Sequence, residues 1–402
     1  MSEKITCQEC GALVHSIQLH LKEAHPEMTV EQYSAKHPDA PLLSELAKQK
    51  IAEKLAAREA AEQPAETKTE LAGTGESESA VKVADLVSKG SPVKKFLNDQ
   101  FKLGRVKQAM NSRGEPIPIS VLSAHDHQEY VPEPSDNYVF DIDELKNVIL
   151  AIELRYPVYV WGHKGAGKTE LFEQIAARTN RPMVRIQHTV NTEESHIVGQ
   201  WTVKGGQTVF ELGPLPLAMK YGWMYVADEY DFALPSVLSV YQAVLEGKSL
   251  MIKEADAENR IIKPHPNFRF CATGNTNGTG DETGLYQGTN LQNSANYDRF
   301  GMVIHKKYMK KAAESQILQN QVGLTKEDAD KLVEFATLVR DAYDAGKISD
   351  VISPRTLIYA AKIGVMRASF RQGITLSFIN KLSKIDREVV DGLAQRIFGA
   401  AA

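Results

Sequence analysis

The sequence predicts an α/β fold: a parallel sheet with flanking helices, followed by a C-terminal helical lid and preceded by a small Cys/His-rich unit. Three observations predict it. From about residue 136, short apolar segments alternate with helical ones, the pattern of a parallel sheet covered by helices on both faces. From about residue 325 the apolar spacing is helical throughout. Near the N-terminus, two cysteines and two histidines fall at metal-ligand spacing.

The elements follow in order. Segment 141–154, DIDELKNVILAIEL, has helical periodicity, and 157–161, PVYVW, is a short apolar strand. A helix is expected over 168–179, strands over 182–187 and 223–227, a helix over 234–246 and a strand over 267–272. Three helices, 325–345, 354–370 and 375–399, make the lid. Ahead of the core, 46–63 is built from strong helix formers, and 64–91 is small and polar, as in a flexible linker. Residues 92–123 are mildly basic, with Lys94, Lys95, Lys102, Arg105, Lys107 and Arg113 among Phe96, Leu97, Phe101 and Leu103. A solvated face over a small apolar core accounts for them better than nucleic-acid contact does. The expected division is 1–45, a zinc-finger-like unit; 46–91, helix and linker; 92–135, a connecting segment; 136–320, the α/β core; and 321–402, the lid.

Composition excludes several classes. Of 402 residues, 43% are hydrophobic and 24% charged, enough to bury a large core. A net charge of −4 gives no whole-chain field toward nucleic acid or membrane. No run approaches the roughly 18 apolar residues of a bilayer span, and the opening MSEKITCQEC lacks the apolar stretch of a signal peptide. Only Cys7, Cys10 and Cys271 occur, which is no disulfide framework and fits a reducing, cytoplasmic setting.

Residues 162–169 read GHKGAGKT, placed after an apolar strand and before a helix. Gly162, Gly165, Ala166 and Gly167 let the backbone curl so that N–H groups face phosphate oxygens, and the following helix adds its positive end. Lys168 is placed to reach the β and γ phosphates, Thr169 to ligate Mg2+, and Glu170 to flank the nucleotide. About 60 residues on, WMYVADE ends a strand in Asp228 and Glu229. Asp228 would hold Mg2+ through its waters and Glu229 would polarise the attacking water. The strand FRFCAT runs into Gly274-Asn275, putting Asn275 where a polar side chain touches the γ-phosphate and the water. Arg299, in YDRF, and Arg355, in SPRT, can each place positive charge on the γ-phosphate. Arg299 is read as acting on the neighbouring subunit and Arg355 in its own. The set is that of a Mg2+-dependent ATPase, and an intact set argues against a module that only holds nucleotide.

At this point the chain resembles a known family. Residues about 130–320 look like the AAA+ subunit of aerobic cobaltochelatase, the CobS type within the MoxR branch of AAA+ proteins. The matching words are VWGHKGAGKTELFEQIAARTNRP, VADEYDFA, YQAVLEGKSLMI, PNFRFCATGNTNGTGDETGLYQGT and NYDRF. The resemblance implies two added hairpins, about 197–213, facing a ring pore, and about 248–264. It also implies a homo-oligomeric, hexameric ring and a von Willebrand-type partner protein. The chain has no D-x-S-x-S metal motif, so that partner is not fused here.

The N-terminal part departs from that family. Cys7, Cys10, His20 and His25 have a Cys2His2 zinc spacing, and Zn2+ takes four tetrahedral N/S ligands. His15 and His37 are spare. The stretch GALVHSIQLH followed by MTVEQYSAKHP resembles Ros/MucR-type zinc fingers, which implies DNA contact. The surroundings are not strongly basic, so protein contact stands equally open. Two functions follow: a ring ATPase that remodels or loads a partner, as in metal insertion into a tetrapyrrole, or a nucleic-acid-associated motor recruited through the finger. DNA stimulation of the ATPase would separate them.

Overall fold

The computed structural model describes residues 5–24, 28, 30–37, 40, 41, 44, 90–104, 106–282 and 284–399. The helix expected over 46–63 and almost all of the expected linker lie outside these. The chain divides into two compact units, residues 1–80 and 81–402.

In the larger unit, five parallel strands form the sheet: β1 (Val158–Trp161), β2 (Met183–Gln187), β3 (Met224–Asp228), β4 (Arg269–Gly274) and β5 (Met302–His305), in the order β5-β1-β4-β3-β2. Alternate side chains serve opposite layers. Met224 and Val226 of β3 join one apolar cluster, with Val158, Val160 and Cys271, while Tyr225 and Ala227 join the other, with Tyr159, Phe270 and Ala272. Both faces are covered, so β3 and β4 are buried at every residue. That is why these strands read as unbroken apolar runs.

Helices α1 (Ile142–Leu154) and α2 (Lys168–Arg178) cover the first layer. Asp141 caps α1 by accepting from the backbone N–H groups of Asp143 and Glu144. Helix α3 (Pro214–Tyr221) covers the second layer. The helix expected over 234–246 is broken into Pro235–Leu238, a 3-10 turn at Ser239–Tyr241 and Gln242–Leu245. The Ser239 hydroxyl bonds back to the Ser236 carbonyl at 2.7 Å, in competition with the helix ladder. Two hairpins stand where the family pattern implies: Gly199–Lys204 with Gln207–Leu212, and Leu250–Met251 with Ile261–Ile262. The mildly basic segment forms a hairpin of Pro92–Phe96 with Pro118–Leu122. Its Ile119 and Val121, with Leu97 and Phe101, join the α1–α2 layer instead of making a core of their own.

The lid comprises α4 (Lys311–Val322), α5 (Lys326–Asp344), α6 (Pro354–Met366), α7 (Phe370–Ser377) and α8 (Lys384–Phe398). Two expected helices are shorter than read. The 354–370 helix stops at Met366, because Ala368 turns left-handed (φ 51°) and Ser369 caps a new helix. The 375–399 helix is divided by a 3-10 turn at Ile379–Lys381, after which Ser383 caps α8. Gly373 lets α6 and α7 touch backbone to backbone, since a Cβ there would lie 2.2 Å from the Ala360 carbonyl oxygen.

The smaller unit has a two-stranded pairing of Ile5–Thr6 with Leu13–Val14 and helices Ile17–Ala24 and Val30–Lys36. Cys7, Ile17, Leu21 and Tyr33 form its core. Among the described residues, no helix is long and apolar enough to cross a membrane.

Candidate functional site

The loop between β1 and α2 is a left-handed curl. Gly162, Gly165 and Gly167 have φ of 153°, 70° and 77°. A Cβ at Gly162 would stand 2.1 Å from the Lys306 carbonyl oxygen, and one at Gly165 would stand 2.6 Å from Ser353 Cβ. Only glycine fits at either position. The second contact also seats the lid on the loop, because Ser353 caps α6 and precedes Arg355.

Lys168 is 7% exposed. Its ammonium donates to the Gly162 carbonyl (2.8 Å), the His163 carbonyl (3.3 Å) and Asn275 Oδ1 (2.8 Å). Burial pushes its pKa below the usual lysine value. The Thr169 hydroxyl donates to Asp228 Oδ1 at 2.6 Å, and the Thr273 hydroxyl donates to the same oxygen at 2.5 Å. Arg185, on β2, donates through Nε to Asp228 Oδ2 at 2.8 Å. Glu229 follows β3 in a left-handed conformation, φ 54°, and accepts from Asn275 Nδ2 at 2.6 Å. Burial raises its pKa.

The order β1-β4-β3 puts Asn275 at the end of the strand between the phosphate loop and the two acids, as the sequence reading required. Asp231 holds it there. The fully buried Asp231 carboxylate accepts from the backbone N–H groups of Asn275 and Thr276, both at 2.8 Å, and from the Thr276 hydroxyl at 2.9 Å.

These groups line a cleft of about 380 Å³ between core and lid. Of the residues named from the sequence, Gly165, Gly167, Lys168, Thr169, Glu170, Asp228, Glu229, Asn275 and Arg355 border it. Gly162 and the 2% exposed Ala166 belong to the loop but do not border the cleft. Burial raises the Glu170 pKa. Arg299 is not on the cleft wall. Its Nε donates to Glu246 at 2.7 Å and its Nη1 to the Ala295 carbonyl at 2.5 Å.

Several residues of the site were not read from the sequence. Arg185 and Asp231 are two. Tyr138, Val139, Met309, Ile317 and Ile358 give the cleft part of its apolar lining. Tyr286 reaches the phosphate loop, where its hydroxyl accepts from the Lys164 N–H at 3.0 Å and pairs with His163 Nδ1 at 2.9 Å. Asp231 left a trace as a third acid in ADEYD, and Tyr286 lies within the family-like word TGLYQGT without a role read for it. The site fits a nucleoside triphosphate: a curled loop, an ammonium inside it and apolar side chains in the cleft lining. It also fits Mg2+, since hydroxyl and carboxylate oxygens meet at the mouth of the loop.

In the smaller unit, the ligand atoms of Cys7, Cys10 and His20 lie within 4.8 Å of one another. Cys10 Sγ is 3.1 Å from His20 Nε2. His25 lies outside the described residues. The two spare histidines have other partners: His15 pairs with Ser44 at 2.9 Å and His37 with Glu9 at 2.7 Å.

Comparison with known proteins gives consistent matches. Residues 157–300 match the AAA domain of the dynein-related subfamily, and residues 314–398 match the CbbQ/NirQ/NorQ C-terminal family. The aerobic cobaltochelatase subunit CobS of a Sinorhizobium species is 36% identical over 281 residues, which is 67% of this chain and 83% of that protein. Protein NorQ of Paracoccus denitrificans is 25% identical, covering 67% of this chain and 94% of its own. Mouse von Willebrand factor A domain-containing protein 8 is 28% identical over 44% of this chain and 9% of its own length.

Proposed function

Because the chain belongs to the MoxR-type AAA+ ATPases and shares the CobS sequence family, we propose that it works as a ring motor that remodels or loads a partner protein, with each active site completed by the next subunit. The observation that carries the motor's ATPase chemistry is the chain Lys168–Asn275–Glu229, joined at 2.8 and 2.6 Å, which links the cation of the glycine loop to the acid that would activate a water.

The geometry supports the following roles. Lys168, inside the curl, binds the β and γ phosphates, and the loop N–H groups bind their oxygens. Thr169 and Asp228 would hold Mg2+, which when bound would supply charge withdrawal from those oxygens. Glu229 takes a proton from the water that attacks the γ-phosphorus, and the bond to the β–γ bridging oxygen breaks to give ADP and phosphate. Asn275 keeps Glu229 aimed. Arg355 approaches from the lid of the same chain. Arg299, held away from its own cleft, serves the neighbouring one.

The N-terminal cluster is a zinc site completed by His25, and its small unit docks the motor on its client. CobS-type likeness and the von Willebrand-type relative support a partner of that class, with cobalt insertion into a tetrapyrrole as the corresponding client reaction.

Mixing tests the ring. Arg299→Ala subunits keep a sound phosphate loop, and Lys168→Ala subunits keep a sound finger. Neither should hydrolyse ATP alone, and mixed rings should recover part of the rate. A mixture that assembles and stays inactive rules the shared site out.

A further inference from the structure

We propose that Glu246 is a positioning residue that presents Arg299 to the neighbouring subunit's nucleotide; this rests on Arg299 being a trans finger. The contact is specific. Arg299 Nε donates to Glu246 Oε1 at 2.7 Å, and Nη1 donates to the Ala295 carbonyl at 2.5 Å. A guanidinium has three nitrogens and five N–H groups in a fixed plane. Two of the nitrogens are bound within the chain, and among the described residues Nη2 has no partner. Two anchors on one rigid plane fix its direction and leave one nitrogen to offer. A lysine, or an arginine held at one point, would not be so directed.

The anchors are themselves fixed. Glu246 closes the segment that begins at Pro235, and its Oε2 accepts from Lys248 at 2.5 Å. Its carboxylate is therefore held from both sides, and its pKa is lowered first by Lys248 and then by Arg299. Arg299 follows the short helix Ser294–Tyr297. Asn296 of that helix is buried and donates to the Tyr230 hydroxyl (3.0 Å) and the Leu238 carbonyl (3.4 Å). Phe300, next in sequence, packs against Tyr159, Tyr230 and Phe270. The Ala295 anchor thus hangs, through Asn296, from Tyr230 and from Leu238 of the segment that Glu246 closes. Lys248 matters for charge as well: two cations and one carboxylate leave a net charge of +1, so the ion pair does not cancel what the finger offers.

The test is steady-state ATPase of the full chain with saturating Mg-ATP. Glu246→Ala should lower kcat roughly 10- to 100-fold, the scale of about an ångström of misplacement, with KM little changed because the phosphate loop is untouched. Glu246→Gln keeps an acceptor oxygen without the charge and should fall between wild type and Ala. The double variant with Arg299→Ala should be no slower than Arg299→Ala alone, since both remove one function. Glu246→Ala subunits should also regain activity when mixed with Lys168→Ala subunits. If Arg299→Ala is fully active, the finger reading itself fails. If Arg299→Ala is inactive while Glu246→Ala matches wild type, or is faster because the pair was a latch, the positioning role alone is overturned. Additive loss in the double variant overturns it too. Should Glu246→Ala not assemble, Glu246→Gln decides, and a rate within about twofold of wild type goes against the proposal.

Discussion

Asn275 Nδ2 donates to Glu229 Oε2 at 2.6 Å while its Oδ1 accepts from Lys168 at 2.8 Å. The amide can lie only one way round, because its oxygen faces an ammonium and its nitrogen a carboxylate. Asn275→Ala should therefore lower kcat at least about 10-fold, part of the roughly 100- to 10,000-fold typical of a positioned base, with ATP affinity within a few-fold of wild type. Asn275→Asp should be worse, since it puts a second carboxylate against Glu229. Nucleotide titration beside turnover checks both. Equal loss of affinity and rate would mean that Asn275 only holds the loop together.

Glu229 also gives a pH-dependent stability. Burial raises its pKa in the folded protein above the ordinary 4.5. Below 4.5 both states are protonated and folding is not penalised. As pH rises through the folded pKa, the unfolded chain is already ionised and stability falls. Glu229→Gln removes that loss. The variant should melt higher than wild type near neutral pH, and the gap should close at about pH 4. Melting curves over that range check the sign, and a variant that is less stable at neutral pH contradicts it.

The phosphate loop and the two acids were legible because each is a contiguous word whose chemistry depends on local backbone. The ends of the four core strands that were read, β1 to β4, were legible to within about two residues, because β3 and β4 are buried on both faces and read as apolar runs, whereas the partly exposed edge strand β5 was not read. What was not legible is assembled from distant segments. Arg185 on β2 meets Asp228 on β3 across 43 positions, and Tyr286 meets Lys164 across 122. The apolar lining of the cleft draws Tyr138 from ahead of α1 and Ile317 and Ile358 from the lid. No spacing rule connects such residues before the fold does. Helix breaks were missed for the opposite reason: Ser369 and Ser383 are ordinary residues inside a helical pattern until they are seen capping.

Tyr286 should tune nucleotide binding. Its hydroxyl is the acceptor for the Lys164 N–H and the partner of His163. Tyr286→Phe removes one oxygen and leaves the ring packed. Losing about 1 kcal/mol of hydrogen bonding should raise KM for ATP roughly fivefold, with a smaller effect on kcat. Isothermal titration with a non-hydrolysable analogue separates the two, and unchanged affinity would show that the loop holds its curl without Tyr286.

The N-terminal cluster makes a prediction of both gain and loss. Three ligand atoms already lie within 4.8 Å of one another, and Zn2+ wants a fourth, which His25 is placed in sequence to supply. The purified chain should carry about one zinc per subunit. Cys10→Ala and His25→Ala should each lose it, and the small unit should lose its fold, because metal binding supplies folding free energy to so small a unit, whose core among the described residues already includes the ligand Cys7. His15→Ala and His37→Ala should keep it, since those rings bond to Ser44 and Glu9. The ATPase unit should melt unchanged in all four variants, as it has its own apolar clusters. Metal analysis with far-UV melting reads all of this on one set of samples. Full zinc content in Cys10→Ala would falsify the ligand set, and zinc loss in His37→Ala with retention in His25→Ala would move the fourth ligand from His25 to His37.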